Sequence, residues 1–284
     1  MPTVSLAGMR PMAPNGHGGS RKPVVLLVAE AVTLAHFARI AVLARALALD
    51  SGAYRVVVAS DPRYAHLEPE LAGTFYPLHS IPSSQFEQAL ARGKPLYDAA
   101  TLADYVKADL SMLSALEPDL VIGDFRLSLA VSAPVHGVTY AAMVNSYWSP
   151  YAQVSYPVPD LPMTSRIGVA AAQRLFNASR AVAFAMHARP LNQVRRRYGL
   201  PSLGHDLRVA YSWGNHTLYP DLPGFVPMAD LPPNHHFVGP LLWSADVPLP
   251  EWWGQVSPDV PMILVTMGSS GAKDLIPVVI EALK

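Results

Sequence analysis

The sequence predicts an α/β fold: a Rossmann-like doubly wound parallel sheet, followed by the first strand, turn and helix of a second such domain. Three observations predict it. Short uninterrupted apolar runs, at residues 24–29 and 120–123, read as strands buried on both faces. Segments with apolar residues at helical spacing lie between such runs, so strands and helices alternate. Near the C-terminus, residues 262–266 read as one more buried strand, Gly268-Ser269-Ser270-Gly271 as a tight turn and residues 274–283 as the start of a helix. A strand, a Gly/Ser turn and a helix are how a nucleotide-binding α/β unit opens. Only 13 residues follow Gly271, so the expectation is one complete domain and the first step of another.

The elements follow in order. Residues 1–23 are rich in Gly, Pro and Ser and lack a continuous apolar core, so they read as a flexible tail and not as a secretory signal. After the strand at 24–29 comes a helix at 34–49, with Phe37, Ile40, Leu43, Ala44 and Leu47 on one face. Strands are expected at 55–59 and 74–78, and helices at 84–91 and 102–116. Glu117-Pro118-Asp119 breaks the second of these helices. A strand at 120–123 ends at Asp124, a short helix covers 127–133 and a further strand covers 138–144. The Tyr- and Pro-rich loop 145–162 leads to a long helical region, 164–198, with a kink expected at Pro190. A strand at 216–219 and an extended piece at 237–240 close the domain of residues 24–240. Residues 241–261, with several prolines and Trp243, Trp252 and Trp253, read as an interdomain linker whose aromatics pack at a domain interface. Residues 262–284 are the start of the second domain.

Composition bounds the function. The 284 residues are 51% hydrophobic and 15% charged, which is a globular composition. Net charge is zero, so there is no overall electrostatic pull toward nucleic acid or an anionic membrane, although a local patch is compatible with it. There is no cysteine, which excludes disulfides, thiolate nucleophiles, Cys-based zinc sites and iron–sulfur clusters. The longest apolar helical stretch, 167–191, is interrupted by Gln173, Arg174, Asn177, Arg180 and Arg189 and makes a poor membrane span. A cytoplasmic location is the default expectation.

Two residues combine into possible chemistry. His36 lies where the loop after the first strand enters a helix, and Asp124 ends a later strand. The right-handed crossover rule puts both at one edge of the sheet. A carboxylate that orients a histidine fixes its tautomer and stabilises its imidazolium, which makes a general base. Separately, each has a plainer reading: His36 as an ordinary helix residue, Asp124 as a cap of the next helix. His235-His236 reads as surface and not as a metal site. Arg195-Arg196-Arg197 suits a helix C-terminus or, alternatively, an anionic surface.

Residues 24–47, with Leu34-Ala35-His36-Phe37-Ala38-Arg39, resemble the opening of family-1-type, nucleotide-sugar-dependent GT-B glycosyltransferases, which include bacterial macrolide and flavonoid enzymes. Pro118-Asp119-Leu120-Val121-Ile122-Gly123-Asp124 is similar to the family strand that ends in the catalytic Asp. Val265-Thr266-Met267-Gly268-Ser269-Ser270-Gly271 is similar to the opening of the donor domain. The resemblance implies inverting, metal-independent transfer of a sugar from a UDP- or dTDP-sugar to an acceptor hydroxyl. The nucleotide sugar is a co-substrate and no resident cofactor is implied. It assigns His36 as base and Asp124 as its partner. Gly268, Ser269 and Ser270 would meet the diphosphate, with Thr33 facing the same phosphates. Asn145, Tyr147 and Trp148 on the loop after a strand, with Phe125, would meet a small hydrophobic acceptor; Tyr97 and Tyr151 are lesser candidates, and packing of Trp148 and Tyr151 on the long helix is the alternative.

Two departures matter. Ala35 stands where the family has Gly before its His, and by this resemblance almost all of the donor domain is expected to be missing from the 284 residues. A chain truncated in this way is expected to bind donor weakly and to be inactive alone, to be completed by a separate donor-domain polypeptide, or to self-associate through its exposed C-terminal segment. A non-catalytic acceptor-binding module is one alternative. Another Rossmann-type nucleotide-sugar enzyme is a second, weakened because no Gly-x-Gly-x-x-Gly follows the first strand.

Overall fold

The computed structural model describes residues 21–49, 52–158, 162–257, 259, 261–267 and 273–283. The chain divides into two units after Leu242. The first is built on seven strands: β1 (Val24–Ala29), β2 (Arg55–Ser60), β3 (Phe75–Pro77), β4 (Leu120–Asp124), β5 (Thr139–Met143), β6 (His216–Tyr219) and β7 (His235–Phe237). They pair in the order β3-β2-β1-β4-β5-β6-β7, every pair parallel. The helices of this unit are α1 (Leu34–Leu49), α2 (Ser83–Ala91), α3 (Ala99–Leu116), α4 (Leu129–His136), α5 (Pro162–Ile167), α6 (Val169–Arg197) and α7 (Leu207–Ser212). This is the expected doubly wound sheet.

The two-residue period of β1 explains why it is apolar throughout. Val25, Leu27 and Ala29 pack in one core with Phe37, Ile40 and Leu43 of α1. Val24, Leu26 and Val28 pack in the opposite core with Met112 and Leu113 of α3 and Leu129 of α4. Each alternate residue serves a different helix layer, so no position can be polar. Burial of each such Val or Leu contributes roughly 1.5–3 kcal/mol. On β4, a Cβ at Gly123 would come within 2.4 Å of Leu129 Cδ1 and 3.1 Å of the Tyr140 ring, so glycine lets α4 close on the strand next to Asp124.

Several expectations need correction. The long helical region is interrupted at Gly168, whose φ of +78° is the left-handed geometry that glycine tolerates, and Pro190 lies inside α6. The last strand is residues 235–237 and not 237–240, because Thr217 and Tyr219 register against His235 and Phe237. His235 and His236 therefore sit in a strand, half-buried, with His235 Nδ1 2.7 Å from the Tyr219 hydroxyl. Residues 262–266 form no strand; Met262, Ile263 and Leu264 are exposed. A strand exists only by pairing, and no strand of the second unit is present among the described residues to pair with it. The helix after it is present as α8 (Ile276–Ala282). Trp252 and Trp253 are exposed and lie against each other, with ring centroids 5.5 Å apart. No helix among the described residues is long and apolar enough to cross a membrane.

Candidate active site

The sheet reverses its winding between β1 and β4, where Ala29 registers against Asp124. The loops after these strands diverge at this point and leave the crevice in which open α/β sheets bind ligands. Both sides of the crevice contribute. His36, in the first turn of α1, comes from the β1 side, and Asp124, the last residue of β4, from the other.

Their side chains meet: His36 Nδ1 lies 2.9 Å from Asp124 Oδ1. Asp124 is buried and His36 is half-buried. Asp124 does not cap the following helix, whose N-cap is Ser128. Instead the carboxylate is gripped by a third residue. Arg39 donates from Nε to Oδ2 at 2.7 Å and from Nη2 to Oδ1 at 2.8 Å, a two-pronged pairing that fixes the carboxylate plane. Its Nη1 donates to Asn145 Oδ1 at 2.7 Å, tying the loop after β5 to the same guanidinium.

Arg39 Nη2 is also 2.9 Å from His36 Nδ1, and this contact bears on the tautomer. If Nδ1 held a lone pair, it would face a carboxylate oxygen at 2.9 Å, acceptor against acceptor. If Nδ1 carries the proton, His36 and Arg39 both donate to Asp124. The second arrangement sets the Nδ1 proton beside the Arg39 Nη2 donor but satisfies the buried carboxylate from both sides, and it leaves the lone pair on Nε2, directed away from the carboxylate.

Phe125 closes the back of the histidine. Its ring is stacked on His36, with centroids 4.8 Å and planes 4° apart. Its φ is +60°, a conformation that a bulky residue adopts only when its surroundings over-determine it. Phe86 and Tyr211 hold the same ring at 6.0 and 5.3 Å. From Tyr211 the aromatic surface continues to Trp148, at 5.2 Å, and Trp148 touches Tyr147, Tyr156 and Phe184. Trp148 therefore packs on α6 and α7, while Tyr147 is 43% exposed. Tyr151 lies instead against His235, and Tyr97 is buried beside Tyr105.

Thr33 precedes α1 and is half-buried. Ala35 lies within the helix and is absent from the positive-φ positions, so no glycine geometry is required there. Gly268, Ser269 and Ser270 lie outside the described residues. Among the described residues no group of three or more His, Asp or Glu could hold a metal ion.

Sequence reasoning missed two features. Arg39 was legible as the i+3 neighbour of His36 on one helix face. The other is a buried ion network behind the crevice. Arg126, fully buried, donates to Glu30 Oε2 at 2.8 Å and to Asp109 Oδ1 at 3.0 Å, and its guanidinium lies 3.8 Å over the Tyr105 ring. Burial works against the Arg126 charge, but the Asp109 and Glu30 carboxylates outweigh it and hold its pKa above the usual arginine value. Glu30 donates its backbone N–H to the Asp124 carbonyl at 3.0 Å, so this network is anchored to the strand that carries Asp124.

No protein-family model matches the chain. Over 264 residues it is 44% identical to a protein of Mycobacterium bovis named inactive PGL/p-HBAD biosynthesis glycosyltransferase, covering 93% of this chain and 72% of that one. The chain belongs to the PGL/p-HBAD biosynthesis glycosyltransferases. To the PGL/p-HBAD biosynthesis glycosyltransferase of Mycobacterium tuberculosis it is likewise 44% identical, and it spans 61% of that protein's length. It is 45% identical to the PGL/p-HBAD biosynthesis rhamnosyltransferase of Mycobacterium bovis and spans 58% of it. Among solved structures, a spinosyn forosaminyltransferase matches with a TM-score of 0.49 and 16% identity, over 81% of this chain and 54% of that one. The expected resemblance to glycosyltransferases is thus borne out, and the parallel seven-stranded sheet is the Rossmann-like domain that resemblance requires.

Proposed function

We propose that this glycosyltransferase chain binds a small hydrophobic acceptor and presents one of its hydroxyls to a UDP- or dTDP-linked sugar, with His36 as general base. The observation that carries the reading is the 2.9 Å contact between His36 Nδ1 and a buried Asp124 carboxylate, which supports Nε2 as the base. The acceptor proton passes to Nε2 while the acceptor oxygen forms a bond to the anomeric carbon. The bond from that carbon to the diphosphate breaks, its electron pair leaves with the diphosphate, and the configuration inverts. The imidazolium so formed lies against Asp124, and Arg39 keeps that carboxylate from turning. No metal ion is needed in this scheme.

The aromatic surface of Phe125, Tyr211, Trp148 and Tyr147 suits a flat apolar acceptor beside the base. The donor diphosphate is assigned to Gly268, Ser269, Ser270 and Thr33 on family resemblance. The chain spans about three-fifths of two of the relatives. A donor domain on a separate polypeptide is part of the proposal.

A second reading has its own support. A relative with the same 44% identity is named inactive, which fits a module that binds acceptor without transferring sugar. Calorimetric titration with phenolic and polyketide acceptors and with UDP- and dTDP-sugars, followed by assay of transfer, separates the two. Acceptor binding, with transfer that falls about 10²–10⁴-fold in His36→Ala, is expected. Transfer unchanged by His36→Ala would overturn the role of the base. Acceptor binding with no transfer, even when a donor domain is supplied, would leave the binding module.

A further inference from the structure

Residues 161–205 carry seven arginines and no Asp or Glu, in a chain whose net charge is zero. The segment is α5, α6 and the turn that follows. Arg195 is turned inward, donating to the Pro201 and Ala130 carbonyls and stacking over Trp213. Arg180 lies over the Tyr156 ring, on the side of α6 that carries Phe184. The other five, Arg166, Arg174, Arg189, Arg196 and Arg197, are exposed.

Alongside them runs an apolar stripe that the fold leaves open. Leu175, Val182 and Met186 are 47%, 73% and 46% exposed. Their spacing of seven and then four residues puts them on one face of α6, with exposed Ala171 and Ala178 on the same face. Phe184, which touches Trp148, is two residues from Val182 and so projects from nearly the opposite side. The stripe therefore faces away from the candidate active site. At its C-terminal end, Met186 and Arg189 border an open groove of about 520 Å³ to which Arg92 and Lys94 add positive charge and Asp98 one negative.

We propose that the α5–α6 surface docks on a lipid bilayer with anionic headgroups, α6 lying in the plane of the interface. Exposed apolar residues on one helical face, arginines beside them and no acid anywhere in the segment are what such an interface selects. Arginine stems lie along apolar surface while their heads stay at headgroup level. A protein partner would place uncharged residues at the centre of the contact and balance charge at its rim, and this segment offers only one sign. The helix lies on the membrane and does not span it.

Co-sedimentation of the 284-residue chain with vesicles tests this. The chain is expected to bind vesicles of phosphatidylcholine with phosphatidylglycerol, not those of phosphatidylcholine alone, and to release as salt is raised. Leu175→Asp with Val182→Asp should abolish binding. Arg174→Gln with Arg189→Gln should weaken it about fivefold per charge removed. All four positions are exposed, and circular dichroism verifies that the variants fold. No binding to anionic vesicles, or binding that neither pair of substitutions changes, would overturn the proposal. So would a dimer that dissociates in the Leu175/Val182 variant while vesicles are ignored, since the stripe would then belong to a second copy.

Discussion

Phe125 lies flat on His36, 4.8 Å between ring centres, from a backbone held at φ +60°. The end of β4 thus accepts strain in order to set an aromatic plate behind the histidine. A consequence is an inverted substitution order. Alanine at 125 loses the ring and keeps the strained backbone, whereas glycine loses the ring and is relaxed there. Urea denaturation should find Phe125→Gly more stable than Phe125→Ala by about 1 kcal/mol. The ordinary order, with alanine the more stable, would refute the claim of strain.

The buried network predicts a larger effect. Arg126 is the cation shared by Glu30 and Asp109, and all three are fully buried. Arg126→Met leaves two carboxylates without it, which should cost about 3–5 kcal/mol in chemical denaturation. A loss below about 1 kcal/mol would mean that the carboxylates find other partners.

Arg39 couples Asp124 to Asn145. A lysine has a single ammonium and cannot reproduce the fork. Arg39→Lys should lower stability by about 1–3 kcal/mol, since a buried carboxylate loses hydrogen bonds. In a double-mutant cycle with Asp124→Asn the two changes should couple by about 0.5–3 kcal/mol. Additive effects would show that the pairing contributes nothing.

Acid should destabilise the fold through its histidines. Burial, with help from neighbouring His236, holds His216 and His235 below the ordinary histidine value, and burial does the same to His187. The unfolded chain titrates them near 6.5 and so binds more protons in this window. Stability is full above about pH 6.5 and falls as pH drops through the lowered folded values. The Tm should be lower at about pH 5.5 than at about pH 7.5, and His216→Gln with His235→Gln should narrow the gap. Equal Tm values in the unsubstituted chain would contradict this.

Much of the architecture was legible because β1 and the first residues of β4 are buried on both faces and form short apolar runs, and because α1 shows its period plainly. His36 and Asp124 were legible as a pair because parallel topology fixes which strand ends share an edge. Arg126 was not, because a buried ion pair depends on side chains that meet across elements, and no local period announces it; Arg39 had only its i+3 spacing from His36 to mark it. The break at Gly168 was missed because a glycine inside a helical pattern is ambiguous until its φ is known. The strand expected at 262–266 failed for a different reason: apolar β-branched composition expresses a propensity, and pairing requires a neighbouring strand, of which the second unit has none among the described residues.

The tautomer of His36 tests the account most directly. Nitrogen-15 NMR of the histidine-labelled chain, with His36 assigned by its absence in His36→Ala, reads which ring nitrogen carries the proton in the neutral ring. Nδ1–H donating to Asp124, with the lone pair on Nε2, is the expected result. A proton on Nε2, with Nδ1 accepting from Arg39, would contradict it, because the nitrogen directed away from Asp124 could not then take a proton from an acceptor.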